Sequence, residues 1–254
     1  MKRTILHRRL IAAAFLVAAC TWAISSTRVM TPTNQYFASG PQAALEIAIR
    51  ADDTGAMARS LSSGATANAI GQFNITPLMV AVDSQSPHAV DVLLKAGALP
   101  NAKALDGNGP VSLAVKSCRT KPNGRDIMLA VFRGGGDPNS RQPDDDPVLM
   151  RFILDHDAEG LALMKSLGAD LNILDRAGRP LITNVAMSQD WDMVWALIEL
   201  GVEVDYENGK STQPLSKALS LKYPSPDSPL YPYKVKVWQF LKDKEGLPVQ
   251  PLKQ

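Results

Sequence analysis

Cysteine and histidine are scarce: 254 residues contain two cysteines and three histidines. Two thiols cannot build the disulfide framework of a small secreted scaffold, and no cysteine–histidine spacing suits a structural zinc site. Beyond residue 20 only Cys118 remains, and a lone thiol reads as a small buried apolar residue. There is no nucleophile elbow, no phosphate loop and no paired acid–base residues, which argues against an enzyme and calls for no cofactor or metal. His88 opens an apolar helical stretch and reads as structural. His156, in Asp155-His156-Asp157, is expected on a helix, where adjacent residues do not face one another and cannot share a metal. Asp144, Asp145 and Asp146 have the composition of a calcium ligand set. Such a run is more often the solvated tip of a loop, its last acid beside a helix start where negative charge is favoured.

An excess of charge is also missing. Lys and Arg total 27 and Asp and Glu 25, but Lys2, Arg3, Arg8 and Arg9 belong to the first nine residues. Without those four, 23 cations face 25 acids, a net charge of −2. The basic balance therefore gives no electrostatic footprint for nucleic acid. Apolar runs are short as well. Leu10 to Ile24 is fifteen residues with Thr21 tolerated, below the ~20 that a spanning helix needs.

What the first residues do contain is a basic start, an apolar stretch from Leu10 to Ala19, and then Cys20. That order is the mark of a secretory signal, and its leading positive charge directs the remainder across the membrane. Val17-Ala18-Ala19-Cys20 resembles the bacterial lipobox, in which the cysteine becomes the N-terminus and carries lipid. With Thr21 next, the resemblance implies a signal peptide over 1–19, lipidation at Cys20, and a place on the periplasmic side of the outer membrane. An apolar leader kept as an inner-membrane signal anchor, or cleaved to leave a soluble periplasmic protein, stays open. Several acyl chains, each buried methylene giving ~0.8 kcal/mol, would hold the protein firmly. Residues 20–36 read as the lipidated cysteine and its tether, since Ser25 to Gly40 is polar and without periodicity.

The rest of the chain repeats itself. Blocks ending at Asn68, Asn101, Asn139, Asn172 and Asp205 each carry a glycine four residues earlier, at 64, 97, 135, 168 and 201. Prolines at 77, 110, 147, 180 and 214 run in step, each followed by two apolar helical stretches. Proline suits the first helical turn, where its missing N–H would be unsatisfied anyway. Glycine ends the second helix in a left-handed conformation cheaply. An asparagine or aspartate then opens a hairpin-like loop.

Thr76-Pro77-Leu78-Met79-Val80-Ala81 followed by Val90-Asp91-Val92-Leu93-Leu94 and Gly97-Ala98 resembles the ankyrin repeat. The resemblance spans about 37–250 and implies an all-α solenoid of about six helix–turn–helix repeats, near 37–68, 69–101, 102–139, 140–172, 173–205 and 206–250. The alanine of 81 and 114 becomes Arg151 and Asn184 in later copies, which should pack less closely. Leu93, Leu94, Leu197 and Ile198 are expected in the inter-repeat core. Ser117 to Arg125 lengthens the turn of the third repeat. Lys222 to Pro232 precedes the last helix, expected over Val235 to Leu241.

In the ankyrin family, partners are held by loop tips and by the concave face of the first helices. The matching residues are Phe73, Leu105, Asp106, Arg141, Asp144, Asp145, Arg176, Arg179, Tyr206 and Glu207. Phe73 and Leu105 are apolar where solvated residues would be cheaper, and Trp195 stands where the repeat usually shows lysine. Tryptophan is a frequent anchor at interfaces, although packing accounts equally well for Trp195 and better for Trp191. An exported ankyrin lipoprotein resembles the immunity proteins that neutralise type VI secretion toxins, phospholipase effectors in particular. The expected partner is thus another protein, a secreted phospholipase toxin, with membrane contact through the N-terminal lipid. The rival reading is a housekeeping periplasmic scaffold that supports an endogenous enzyme or envelope complex.

Overall fold

A computed structural model describes residues 35–204, 215–219, 224–243 and 252. Two units divide the chain, Met1–Gln35 and Tyr36–Gln254, and only the second is described below. The leader, Cys20, Tyr206, Glu207 and Pro214 lie outside the described residues. None of the described helices is long and apolar enough to cross a membrane.

The fold is the all-α ankyrin-repeat solenoid. Its helices come in pairs: α1 (Gly40–Arg50) with α2 (Thr54–Ser62), α3 (Pro77–Asp83) with α4 (Pro87–Lys95), and α5 (Pro110–Ser117) with α6 (Gly124–Arg133). Then come α7 (Met150–Leu154) with α8 (Ala158–Ser166), α9 (Leu181–Met187) with α10 (Trp191–Glu199), and α11 (Leu215–Leu219) with α12 (Tyr231–Asp243). First helices pack on first helices, as in α1–α3–α5, and second on second, as in α2–α4–α6. The described residues contain only isolated bridges, Arg141 with Pro147 and Leu174 with Pro180, at the feet of the loops.

Backbone hydrogen bonds fix the true register. The N–H of Gly71, Ala104, Gln142 and Asp175 donates to the carbonyl of Ile75, Asn108, Asp146 and Arg179, closing four equivalent tips at 2.8–2.9 Å. Their first residues are spaced 33, 38 and 33 apart, which matches the asparagines and not the prolines. Pro77 and Pro110 are the first residues of α3 and α5. Pro180 instead is the N-cap of α9, and Pro147 stands three residues before α7. The alanine of 81 and 114 is therefore replaced by Phe152 and Val185, not by Arg151 and Asn184. Phe152 is buried, whereas Arg151 is half-exposed and paired with Asp155 at 2.9 Å.

The fourth repeat absorbs the larger side chain by a matching loss. Ala89 of the second repeat corresponds to Gly160, and a Cβ at Gly160 would lie 2.2 Å from Phe152 Cδ1. Ala81 with Ala89 has become Phe152 with Gly160: the pair has grown in volume, and the missing Cβ at Gly160 is what leaves room for the edge of the ring.

Asparagine side chains join the repeats. Asn68 Nδ2 donates to the Gly97 carbonyl and its Oδ1 accepts from Leu99 N, both at 2.8 Å. Asn101 grips Gly135 and Asp137 in the same way, and Asn139 grips Gly168 and Asp170. Each amide thus satisfies a carbonyl and an N–H at the next repeat's helix end, groups that helix geometry leaves without partners. The glycines that follow the second helices have φ between 77° and 103°, as their helix-ending role requires.

Leu93 and Leu197 are fully buried and Ile198 nearly so, as expected, while Leu94 is half-buried against Gly134, where a Cβ would meet its methyl at 2.6 Å. The folded unit begins earlier than the polar stretch implies. Tyr36 and Phe37 are buried, and their N–H groups donate to the fully buried Glu46, which also pairs with Arg50 at 2.7 Å. The last helix starts four residues before Val235, at Tyr231.

Candidate protein-binding surface

The four tips carry the residues expected to meet a partner, and each turns on a residue of positive φ: Asn74, Gly107, Asp145 and Gly178. At the first, Phe73 also has φ 59°, a left-handed conformation costly for a bulky side chain. Its ring is 44 % exposed. Leu105, on the second tip, is 70 % exposed, and its N–H donates to the Phe73 carbonyl at 2.9 Å. Asp106 beside it turns inward on its own tip, accepting from the backbone and side-chain N–H groups of Asn108.

The charged residues divide by what they hold. Arg141 donates to the carbonyls of Asp145 (2.6 Å) and Leu174 (3.0 Å), tying the third tip to the fourth. Arg179 pairs at 2.8 Å with the buried Asp175, which also accepts from Ala177 N, Arg179 N and Asn184 Nδ2. Both arginines are chiefly struts. Asp144, Asp145 and Arg176 remain largely exposed, and Arg176 lies 3.7 Å from Asp146 and 3.9 Å from Asp144. Alternating charge is thus displayed over two rigid tips.

Trp195 is half-buried, with Phe240 edge-on at 6.4 Å and the Lys236 ammonium 5.5 Å from its ring. It joins α10 to α12. Trp191 is fully buried beneath Lys234, whose ammonium is 5.6 Å from the ring and whose pKa burial lowers. A row at the ends of the first helices completes the surface: Arg50, Asp83, Lys116, Leu154 and Met187. It is charged in the first three repeats and apolar in the next two, with Leu154 67 % exposed. The one-residue slip of the prolines hid this row from a reading aligned on them.

The turns just beyond that row, at the end of the helix pairs away from the tips, hold two related histidine–aspartate pairs. Asp52, at the turn of the first repeat, accepts from Ala89 N and meets His88 Nδ1 at 2.7 Å. In the fourth repeat the roles are exchanged: His156 occupies the turn and Asp192 the helix start, again at 2.7 Å. His156 therefore sits in the turn between α7 and α8, with φ 51°, and not on a helix as expected. The bond to Asp192 raises its pKa, against the opposing effect of burial. Burial also raises the pKa of the neighbouring Asp190 carboxyl.

The lengthened turn of the third repeat is fastened down on both sides. Arg119 donates to the Asp155 carbonyl at 2.7 Å, and Asn123 Nδ2 to the Gln85 carbonyl at 3.2 Å. Burial pushes the Cys118 thiol up, away from its reactive form. Among the described residues no group of three or more His, Cys, Asp or Glu is placed to hold a metal ion. The surface is one of rigid, displayed side chains, suited to recognition.

Residues 73–105 match the sequence model of the ankyrin repeat. The matched segment runs from the first tip to the second and includes α3 and α4. No curated protein matches the chain.

Proposed function

We propose that this chain is an exported protein-binding solenoid that neutralises a secreted toxin from the periplasmic side of the outer membrane. The toxin is a type VI phospholipase effector, and the chain acts by covering its active-site mouth, without catalysis. Ankyrin repeats are protein-interaction modules, and the matched segment carries that coarser reading. The observation that supports a grip is that the third and fourth tips display charge while the first helices behind them end in exposed apolar side chains. Asp144, Asp145 and Arg176 offer opposite charges on a braced frame, and in the same two repeats Leu154 and Met187 stand exposed at the far ends of the first helices. Apolar anchors ringed by charge are the usual anatomy of a binding hot spot. Lipidation at Cys20 would place this surface where a membrane-degrading enzyme works, raising its effective concentration there.

Co-expression with a type VI phospholipase effector exported to the periplasm, taken from the gene neighbourhood of this chain, tests the reading. Wild type should protect the cell. Leu154→Ser should weaken binding by ~2 kcal/mol, as an anchor does, and Asp145→Ala by under ~1 kcal/mol, as a rim charge does. Absence of protection by wild type, or full protection by a folded Leu154→Ser/Asp144→Lys/Arg176→Glu chain, overturns the proposal.

A further inference from the structure

The two tips nearest the start of the folded unit differ in chemistry from the others. Ile70, at the foot of the first tip, is 73 % exposed, and Leu105 on the second is 70 % exposed. Their equivalents further along are Lys103, Arg141 and Leu174 for Ile70, and Pro143 and Arg176 for Leu105. Apolar exposure is concentrated at one end of the tip row.

The chain enters the folded unit at that same end. The Tyr36 carbonyl accepts from Gln72 N at 2.9 Å, and Phe37 packs on Gly71. A Cβ at Gly71 would lie 2.8 Å from the Tyr36 carbonyl and 3.0 Å from the Phe37 ring, so glycine is what lets the segment cross the tip. Glu46 then fixes it by accepting from the N–H groups of Tyr36 and Phe37. Fifteen residues, Thr21 to Gln35, connect this point to Cys20. Fully extended they reach ~50–54 Å, so a lipid on Cys20 would confine the first tip to within that distance of the bilayer.

We propose that Ile70 and Leu105 dip into the interfacial layer of the phospholipid bilayer, so that the solenoid rests tip-down on the membrane at its N-terminal end. The inference rests on the lipid-anchored reading of Cys20. Acyl chains alone leave a tethered domain free to rotate; two apolar contacts beside the tether fix which face looks outward. The phospholipid is chosen over a protein partner because the apolar residues adjoin the tether and the displayed charges lie beyond it. The third and fourth tips then stand further from the attachment point, available to the toxin.

The full chain, lipidated at Cys20 in a Cys118→Ser background, is reconstituted in phosphatidylethanolamine–phosphatidylglycerol vesicles with brominated acyl chains. A polarity-sensitive thiol probe is carried at Leu105→Cys or at Asp145→Cys. The probe at 105 should shift to the blue and be quenched several-fold, while the probe at 145 stays bright. Equal quenching at both sites, or at neither, overturns the proposal. In a second arm the full Cys20→Ser chain is floated with the same vesicles. Here Ile70→Ser/Leu105→Ser should lower partitioning ~10-fold, and unchanged flotation overturns the tip contact. A native chain that takes up no lipid label, yet shows this tip-dependent flotation, would remove the anchor and leave the contact standing.

Discussion

The second and fourth repeats solve the same packing problem with different residues. In the second, proline starts the first helix, and Ala81 and Ala89 let neighbouring helices approach; both are fully buried. In the fourth, proline has slipped outward by one residue, the first helix is reduced to Met150–Leu154, and the edge of the Phe152 ring lies where a Cβ at Gly160 would be. Their tips still close with the same hydrogen bond, and their asparagines, Asn101 and Asn172, still bond to the next repeat. The repeat therefore tolerates a poor match to its pattern when two contacting positions change together. What must be kept is the hydrogen-bonded frame, because a buried polar group without a partner has no such compensation.

Mutation of the compensated pair should break this comparison most sharply. Phe152→Ala should destabilise the protein by ~3–5 kcal/mol through the cavity it leaves. Gly160→Ala should cost ~1–3 kcal/mol through overpacking. Together they recreate the Ala81–Ala89 arrangement, and the double variant should cost at least ~1 kcal/mol less than the sum of the two. Urea unfolding of the four chains checks this, and strict additivity would mean that the two residues do not compensate each other.

Leu93→Ala should cost ~2–5 kcal/mol in the second repeat, where a fully buried leucine leaves a void. Phe73→Ala on the nearby exposed tip should stay within ~1 kcal/mol, since far less burial is lost than at Leu93 and the backbone conformation is unchanged. Similar costs at the two sites would refute the register of core and tip. Smaller than at Leu93, Asn139→Ala should cost ~1–2 kcal/mol by freeing the Gly168 carbonyl and Asp170 N–H beyond an exposed helix end. Thermal unfolding at constant pH measures it.

The exchanged ion pairs sharpen the comparison through pH. His156 binds its proton more tightly when folded, so its contribution is fully present below the unfolded pKa near 6.5 and is lost as pH rises through the folded value. The stability gap between wild type and His156→Gln should therefore be largest in mild acid and shrink toward alkaline pH. The effect is small because the side chain is nearly half-exposed. A gap that grows with pH would contradict the bond to Asp192.

The helix pairing and glycine-ended second helices were legible because each is a local rule: apolar period, a left-handed stop, a turn opened by asparagine. Tip positions were legible for the same reason, and Phe73 and Leu105 are exposed where the pattern places them. The roles of individual charged residues were not. Arg141 and Arg176 look alike in sequence, yet the first spends its donors on carbonyls of its own and the next tip while the second stays largely exposed. Trp195 likewise needed the position of Phe240, more than forty residues away, before its half-burial could be known.

The sequence by itself determined the architecture, because six copies of one local pattern can bury their apolar faces only by stacking. Tertiary structure alone decided which copy of proline begins a helix, which glycine makes room for which phenylalanine, and which charges are left over for a partner. Those outcomes depend on contacts between residues one or two repeats apart. Side-chain volume and hydrogen-bond capacity are shared there between neighbours, and no single position reveals its share.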